Sequence, residues 1–195
     1  VVEKPYIVLS DIRLSFHYHV VPFLEKMVKA GIKDLVIVAS EIVEESLATL
    51  VLNKLKGHFK IVAVQAPAYG DRRIDELEDL AILTGGHVIL QDSGRDLSSV
   101  EVEELGKADK VIMDRDKTII VNGAGAKGMI EKRIEELRKQ IKVANTDFDR
   151  DIKKQRLAKL AGGIAVINVG AATDVEMKEK KERVNDAVNA TKAAI

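Results

Sequence analysis

The stretch from His17 to Gly57, HYHVVPFLEKMVKAGIKDLVIVASEIVEESLATLVLNKLKG, decides how this chain folds. It reads as two amphipathic helices, Val20–Ala30 and Val43–Lys56, with the strand Asp34–Ala39 between them. Set out on a helical wheel, Val43, Leu47, Ala48, Leu50, Val51, Leu52 and Leu55 cover roughly 200° of the second helix. A helix that only caps a core needs an apolar stripe of about 100°. The first helix behaves similarly: Phe23, Leu24 and Met27 point one way, and Val21 and Val28 lie about a quarter-turn further round. Each helix therefore has a core face and a second apolar face. Two adjacent second faces make an apolar groove, and exposed grooves mark binding sites. A pair of helices buried on both sides satisfies the same periodicity, so both readings stay open at this level.

Outward from this stretch the punctuation is regular. Pro22 fits a first helical turn, which starts the first helix near Val20, and Ala30-Gly31 stops it. The apolar run Asp34–Ala39 predicts a strand buried on both faces. Ser40 is positioned to cap the second helix, with Glu44 and Glu45 near its first turn and Gly57 at its end. Tyr6–Ser10, Lys60–Gln65 and His87–Leu90 read as further strands, and Lys60–Gln65 as a buried one. Arg72–Leu83 reads as a helix closed by Gly85-Gly86. A short helix is expected around Val100–Leu105. Lys110–Met113 and Thr118–Val121 flank the turn residues Asp114-Arg115-Asp116-Lys117, a hairpin pattern. Helices are expected at Lys127–Val143, at Phe148–Ala161 after the turn and cap Asn145-Thr146-Asp147, and from Asp174, read as a cap, to the last residues. Ile164–Val169 reads as a strand. This order predicts an α/β or α+β domain rather than strict βαβ winding.

Composition narrows the classes. The 195 residues are 46% hydrophobic and 32% charged, as in a globular protein. Thirty-one basic residues balance 31 acidic ones, which gives no reason to expect nucleic acid or an anionic membrane as partner. The absence of cysteine excludes disulfides, thiol catalysis and cysteine-ligated zinc. No apolar run approaches the roughly 20 residues of a membrane span. The start at Val1, with no secretory signal, reads as a piece excised from something longer.

Catalytic and metal-binding constellations do not stand out. Gly123-Ala-Gly-Ala-Lys-Gly128 matches GxGxxG after a strand and before a helix, with Asp147 about 20 residues on. A nucleotide-binding enzyme domain built on this turn is the alternative reading. Against it, the strand before the turn is the second arm of a hairpin, and Asp147 lies between helices. His17 and His19 are close in sequence, whereas His58 and His87 are distant from them, which suits surface or loop positions better than a metal site. Asp71-Arg72-Arg73 reads as a neutralised helix start. Glu101–Glu104 and Lys178–Arg183 read as solvated helix faces.

Several stretches together resemble one family. Leu47-Ala-Thr-Leu-Val-Leu-Asn53, Ala66-Pro-Ala-Tyr-Gly-Asp-Arg-Arg73, Leu83-Thr-Gly-Gly86, Lys159-Leu-Ala-Gly-Gly163 and Val169-Gly-Ala-Ala-Thr-Asp-Val-Glu-Met-Lys-Glu-Lys-Lys181 resemble the group I chaperonins, the GroEL family. They occur in the family's order and cover nearly the whole chain. The resemblance is to the apical domain. It implies a single domain over residues 1–195 of the swivelling β/β/α type, with a β-sandwich-like core flanked by helices. From about residue 175 the last helix would lead back toward an intermediate domain.

The resemblance also implies a function. The apical domain captures non-native polypeptides, and the mobile loop of the lid co-chaperonin, in the groove between the two helices. The polypeptide-binding residues would be Val21 and Leu24 on the first helix with Glu25 beside them. On the second they would be Leu47, Val51 and Leu52, with Asn53 and Lys56 at the edge. No catalytic, cofactor or metal residues are implied within these residues. ATP and magnesium would belong to the full-length parent, a double-ring homo-oligomeric ATPase of the bacterial cytoplasm or an organelle interior, plastid-type or mitochondrial. This piece alone would be monomeric, without ATPase activity, nucleic acid or membrane. The sequence departs from the family pattern at Ala39–Ser46, where the family has AEDVEGEA, and at Phe16-His-Tyr-His19. One extra residue lies near Ile32–Asp34, and Gln65 and Ala68 stand where lysine and glycine are usual. These departures bear on co-chaperonin binding more than on the fold.

Overall fold

The computed structural model describes residues 1–15, 17–114, 117–162 and 169–194. The chain divides into two units, residues 1–162 and 163–195, where the sequence predicts one domain. The first unit holds nine strands and five helices among its described residues. In order these are β1 (Val2–Glu3), β2 (Tyr6–Ser10), β3 (Arg13–Leu14), α1 (His17–Lys29), β4 (Asp34–Ala39), β5 (Glu41–Ile42) and α2 (Glu44–Leu55). Then come β6 (Lys60–Gln65), α3 (Asp71–Thr84), β7 (Val88–Ile89), β8 (Gly106–Met113), β9 (Thr118–Gly123), α4 (Lys127–Val143) and α5 (Asp147–Ala161).

The centre of the unit is wound more regularly than the sequence order suggests. β2, β4 and β6 are parallel neighbours joined through α1 and α2, a βαβαβ path, and β7 adds in parallel to the other side of β2. β8 begins antiparallel to β2 at Ile7↔Gly106 and then enters an antiparallel ladder with β1 and β9. The strands thus form one connected seven-stranded mixed sheet. β3 and β5 make a separate two-stranded pair.

Side-chain alternation in the central strands buries both sheet faces. Val8, Leu35, Ile37, Ala39 and Ile61 pack with Val20, Phe23, Leu24 and Met27 of α1 and Leu50 of α2. Ile7, Leu9, Val36 and Val38 pack with Leu77 and Ala81 of α3 on the opposite face. β4 is buried as expected. β6 is only half-buried, because among the described residues it is the outer strand of the parallel set and pairs with β4 alone.

Other boundaries shift for local reasons. α1 starts at His17, so Pro22 sits in the second turn, where its missing N–H removes one helical bond to residue 18. Ser40 is buried and does not cap α2; β5 intervenes, and Val43 is the N-cap, without a side-chain hydrogen bond. The expected helix near Val100–Leu105 is a single 3-10 turn at Val102–Glu104, preceded by two others at Gln91–Ser93 and Leu97–Ser99. Glu101 and Glu104 are not merely solvated: they bind Lys26 at 2.8 Å and Arg95 at 2.7 Å. Thr146 caps α5 by accepting from the Asp149 N–H at 3.1 Å.

In the second unit, α6 (Asp174–Ala194) is capped by Thr173, whose hydroxyl accepts from the Glu176 N–H, rather than by Asp174. Lys178–Arg183 are exposed on it as expected. The strand expected at Ile164–Val169 lies, apart from Val169, outside the described residues.

Candidate functional site

α1 and α2 lie on one sheet face because both cross over between neighbouring parallel strands. They end alike. Gly31 follows α1 at φ 75°, and Gly57 follows α2 at φ 73°. After α1, the Gly31 N–H donates to the Val28 carbonyl and the Ile32 N–H to that of Met27, both at 2.9 Å. After α2, Gly57 donates to Lys54 at 3.0 Å and His58 to Asn53 at 3.2 Å. Each set is a Schellman pair, which needs a left-handed residue and so favours glycine.

A cleft of about 550 Å³ opens where these two ends meet. Leu24, Ile32 and Phe59, all buried, form its floor, and Val21 and Val28 form its α1 wall. Asn53, Gly57 and His58 close the α2 side, and Glu25, Lys29 and Lys33 stand at the rim. The Asn53 amide is held by donating to the Thr49 carbonyl at 2.9 Å.

The second apolar face of α2 is open. Only Ser46 and Leu50 of α2 are buried. Leu47 and Val51 are each 44% exposed, Leu52 55% and Leu55 77%. With Ala48 they form a continuous stripe about 140° wide on the helical wheel. The reading in which both helices are covered on two sides therefore does not hold for α2. On α1, Val28 is 55% exposed and Val21 half-buried.

Of the residues named from the sequence, Val21, Leu24, Glu25 and Asn53 come together in the cleft. Leu47, Val51 and Leu52 lie along the α2 stripe outside its lining, and Lys56 is exposed at the α2 C-cap. Leu24 is also part of the main core. Val28 and Leu55 belong to the same surface; their place on the second faces was the available signal. Ile32, Phe59, Lys33 and His58 join it only through the paired helix ends, which no local pattern announces.

The seat of α1 is fixed from behind. Lys26 donates to the Val100 carbonyl at 3.0 Å and pairs with Glu101. Arg95 grips Glu104 through two nitrogens, at 2.7 and 2.8 Å. That bond, with a further one from the Glu101 N–H, holds the Glu104 carboxyl down at about 2. On the opposite sheet face, Asp79 receives Arg133 at 2.8 Å and Arg156 at 2.7 Å, tying α3 to α4 and α5. Burial alone would lower the Arg156 pKa, but Asp79 and Asp75 outweigh it and raise it.

The glycine turn has a structural role. The Ala124 N–H donates to the Lys107 carbonyl at 2.9 Å and the Gly125 N–H to that of Leu83 at 3.0 Å. A Cβ on Gly123 or Gly125 would stand 2.1 or 1.9 Å from a carbonyl oxygen of α3. These amides are committed to protein carbonyls, so the turn does not fit the phosphates of a nucleotide such as ATP. Arg72 stacks over Phe148 and Arg73 over Tyr69. His58 is at the cleft and His87 lies elsewhere; nothing is described of the His17 and His19 side chains. Among the described residues no three His, Asp or Glu groups gather as for a metal, and no helix is long and apolar enough to cross a membrane.

Fold and surface together define an α/β domain that presents an apolar helix face to solvent beside a cleft. The TCP-1/cpn60 chaperonin family model matches residues 17–195, and the chain belongs to that family. A chaperonin role in protein folding follows, in a family whose members are ATPases.

Proposed function

We propose that this chain is the apical, polypeptide-binding domain of a group I chaperonin. It captures non-native polypeptides, and the mobile loop of the lid co-chaperonin, on the apolar surface of α1 and α2. The observation that carries the reading is the stripe Leu47, Val51, Leu52 and Leu55, a run of large apolar side chains in water along one helix. Burial of such surface contributes about 25 cal/mol per Å², less the cost of ordering the client. Val21, Leu24, Glu25, Asn53 and Lys56 complete the site. The swivelling apical fold, the double ring, ATP with magnesium, and a bacterial or organellar interior belong to the same reading of the parent. The chain alone binds clients as a monomer and hydrolyses no ATP.

Val51→Glu tests it. The substitution sets a charge against an apolar ligand, which is unfavourable. Titration with an extended apolar peptide should show affinity reduced at least tenfold, with the melting temperature nearly unchanged. Unchanged affinity would overturn the reading.

A further inference from the structure

The charges around the α1–α2 surface are sorted by sign. At the start of α2 stand Glu44 and Glu45, in its first turn. At the other end stand Lys29 and Lys33 on the cleft rim and Lys54 and Lys56 at the close of α2. Other lysines nearby are engaged: Lys26 with Glu101, and Lys60 with Asp34 at 3.9 Å. Among the described residues, Lys29, Lys33, Lys54 and Lys56 make no ion pair, and all four are exposed. Glu25 is the one carboxylate in the cleft lining.

Part of this cationic excess answers the negative ends of the two helices. Those ends are already satisfied in part, because the Gly31, Ile32, Gly57 and His58 N–H groups bond the terminal carbonyls. A surplus of positive charge therefore surrounds an apolar floor of Leu24, Ile32 and Phe59.

From this we infer that the cleft end selects extended peptide segments in which a large apolar residue is followed or preceded by acidic ones. The inference rests on the groove reading above and adds the class of segment that it favours. The apolar side chain enters the cleft, and the neighbouring carboxylates meet Lys29 and Lys33. Exposed pairs of this kind are individually weak, so the selection is graded, and it is screened by salt.

The test uses three labelled peptides with one apolar core, ended by Asp-Asp, Ser-Ser or Lys-Lys, titrated onto the 195-residue chain by fluorescence anisotropy. At low salt the acidic peptide should bind about fivefold tighter than the basic one, and the gap should close near 0.5 M salt, where the screening length is only about 4 Å. In the double variant Lys29→Glu, Lys33→Glu the order should reverse. Equal affinities that are all lost in Val51→Glu would overturn the inference and leave the groove reading standing. A basic peptide that binds as tightly as the acidic one, or a preference that survives the double variant, would also overturn it. No binding by any peptide would overturn both.

Discussion

α1 and α2 occupy equivalent places, two crossover helices on one face of one sheet, yet they are seated very differently. α1 sinks Val20, Phe23, Leu24 and Met27 into the core and is clamped from behind by Lys26. α2 sinks Leu50 and Ser46, and the Ser46 hydroxyl has no hydrogen-bond partner among the described residues. The apolar content of α2 is about the same, but most of it faces water. The contrast teaches that an apolar count says how much surface a helix can bury, not how much it does bury. α1 spends its side chains on the fold, and α2 leaves most of its own in water.

Substitutions should expose this asymmetry. The largest effect is expected for Phe23→Ala, which empties a fully buried site and should lower stability by about 3–5 kcal/mol in denaturant titration. Leu50→Ala removes the main anchor of α2 and should lower it by about 2–4 kcal/mol. A loss below about 1 kcal/mol would mean that α2 is held by something other than Leu50. Ser46→Ala should instead raise stability by about 1 kcal/mol, since it removes a buried hydroxyl with no bond among the described residues.

A pH series addresses the segment behind α1. The Glu104 carboxyl ionises at about 2 in the folded chain, below its unfolded value, so its bond to Arg95 stabilises fully above roughly pH 5. That contribution should fade as the pH falls toward 2. The melting temperatures of the native chain and of Glu104→Gln should therefore converge on acidification. Both partners are partly exposed, so the effect should be small. The smallest change is expected for Leu47→Ala, within about 0.5 kcal/mol, as for other surface positions. A larger loss would show that the stripe is covered.

Much of this arrangement is legible in the sequence. The excess apolar arc of α2 is there in Leu47, Val51, Leu52 and Leu55, and the helix ends are there in Gly31 and Gly57. Lys127–Val143 matches α4 residue for residue, because its Ile130, Ile134, Leu137 and Ile141 stripe is clean and its neighbours are charged. The parallel winding is not legible, because β7 is two residues long and β8 changes partners along its length. Nor is the cleft floor, since Ile32 and Phe59 lie just beyond two different helices and meet only when both stop at one level. The ion pairs of Glu101 and Glu104 are hidden for the same reason: Lys26 is 75 residues from Glu101 in the chain.

The glycine turn at Gly123 and Gly125 has a mechanical consequence. There the end of α3 meets the end of β9 and the turn into α4 backbone to backbone, with no side chain between them to compress or swing. A few residues along, Asp79 fastens the same helix to Arg133 and Arg156. The three helices therefore behave as one stiff strut. Any give in this unit is therefore expected on the opposite side, where α2 rests on Leu50.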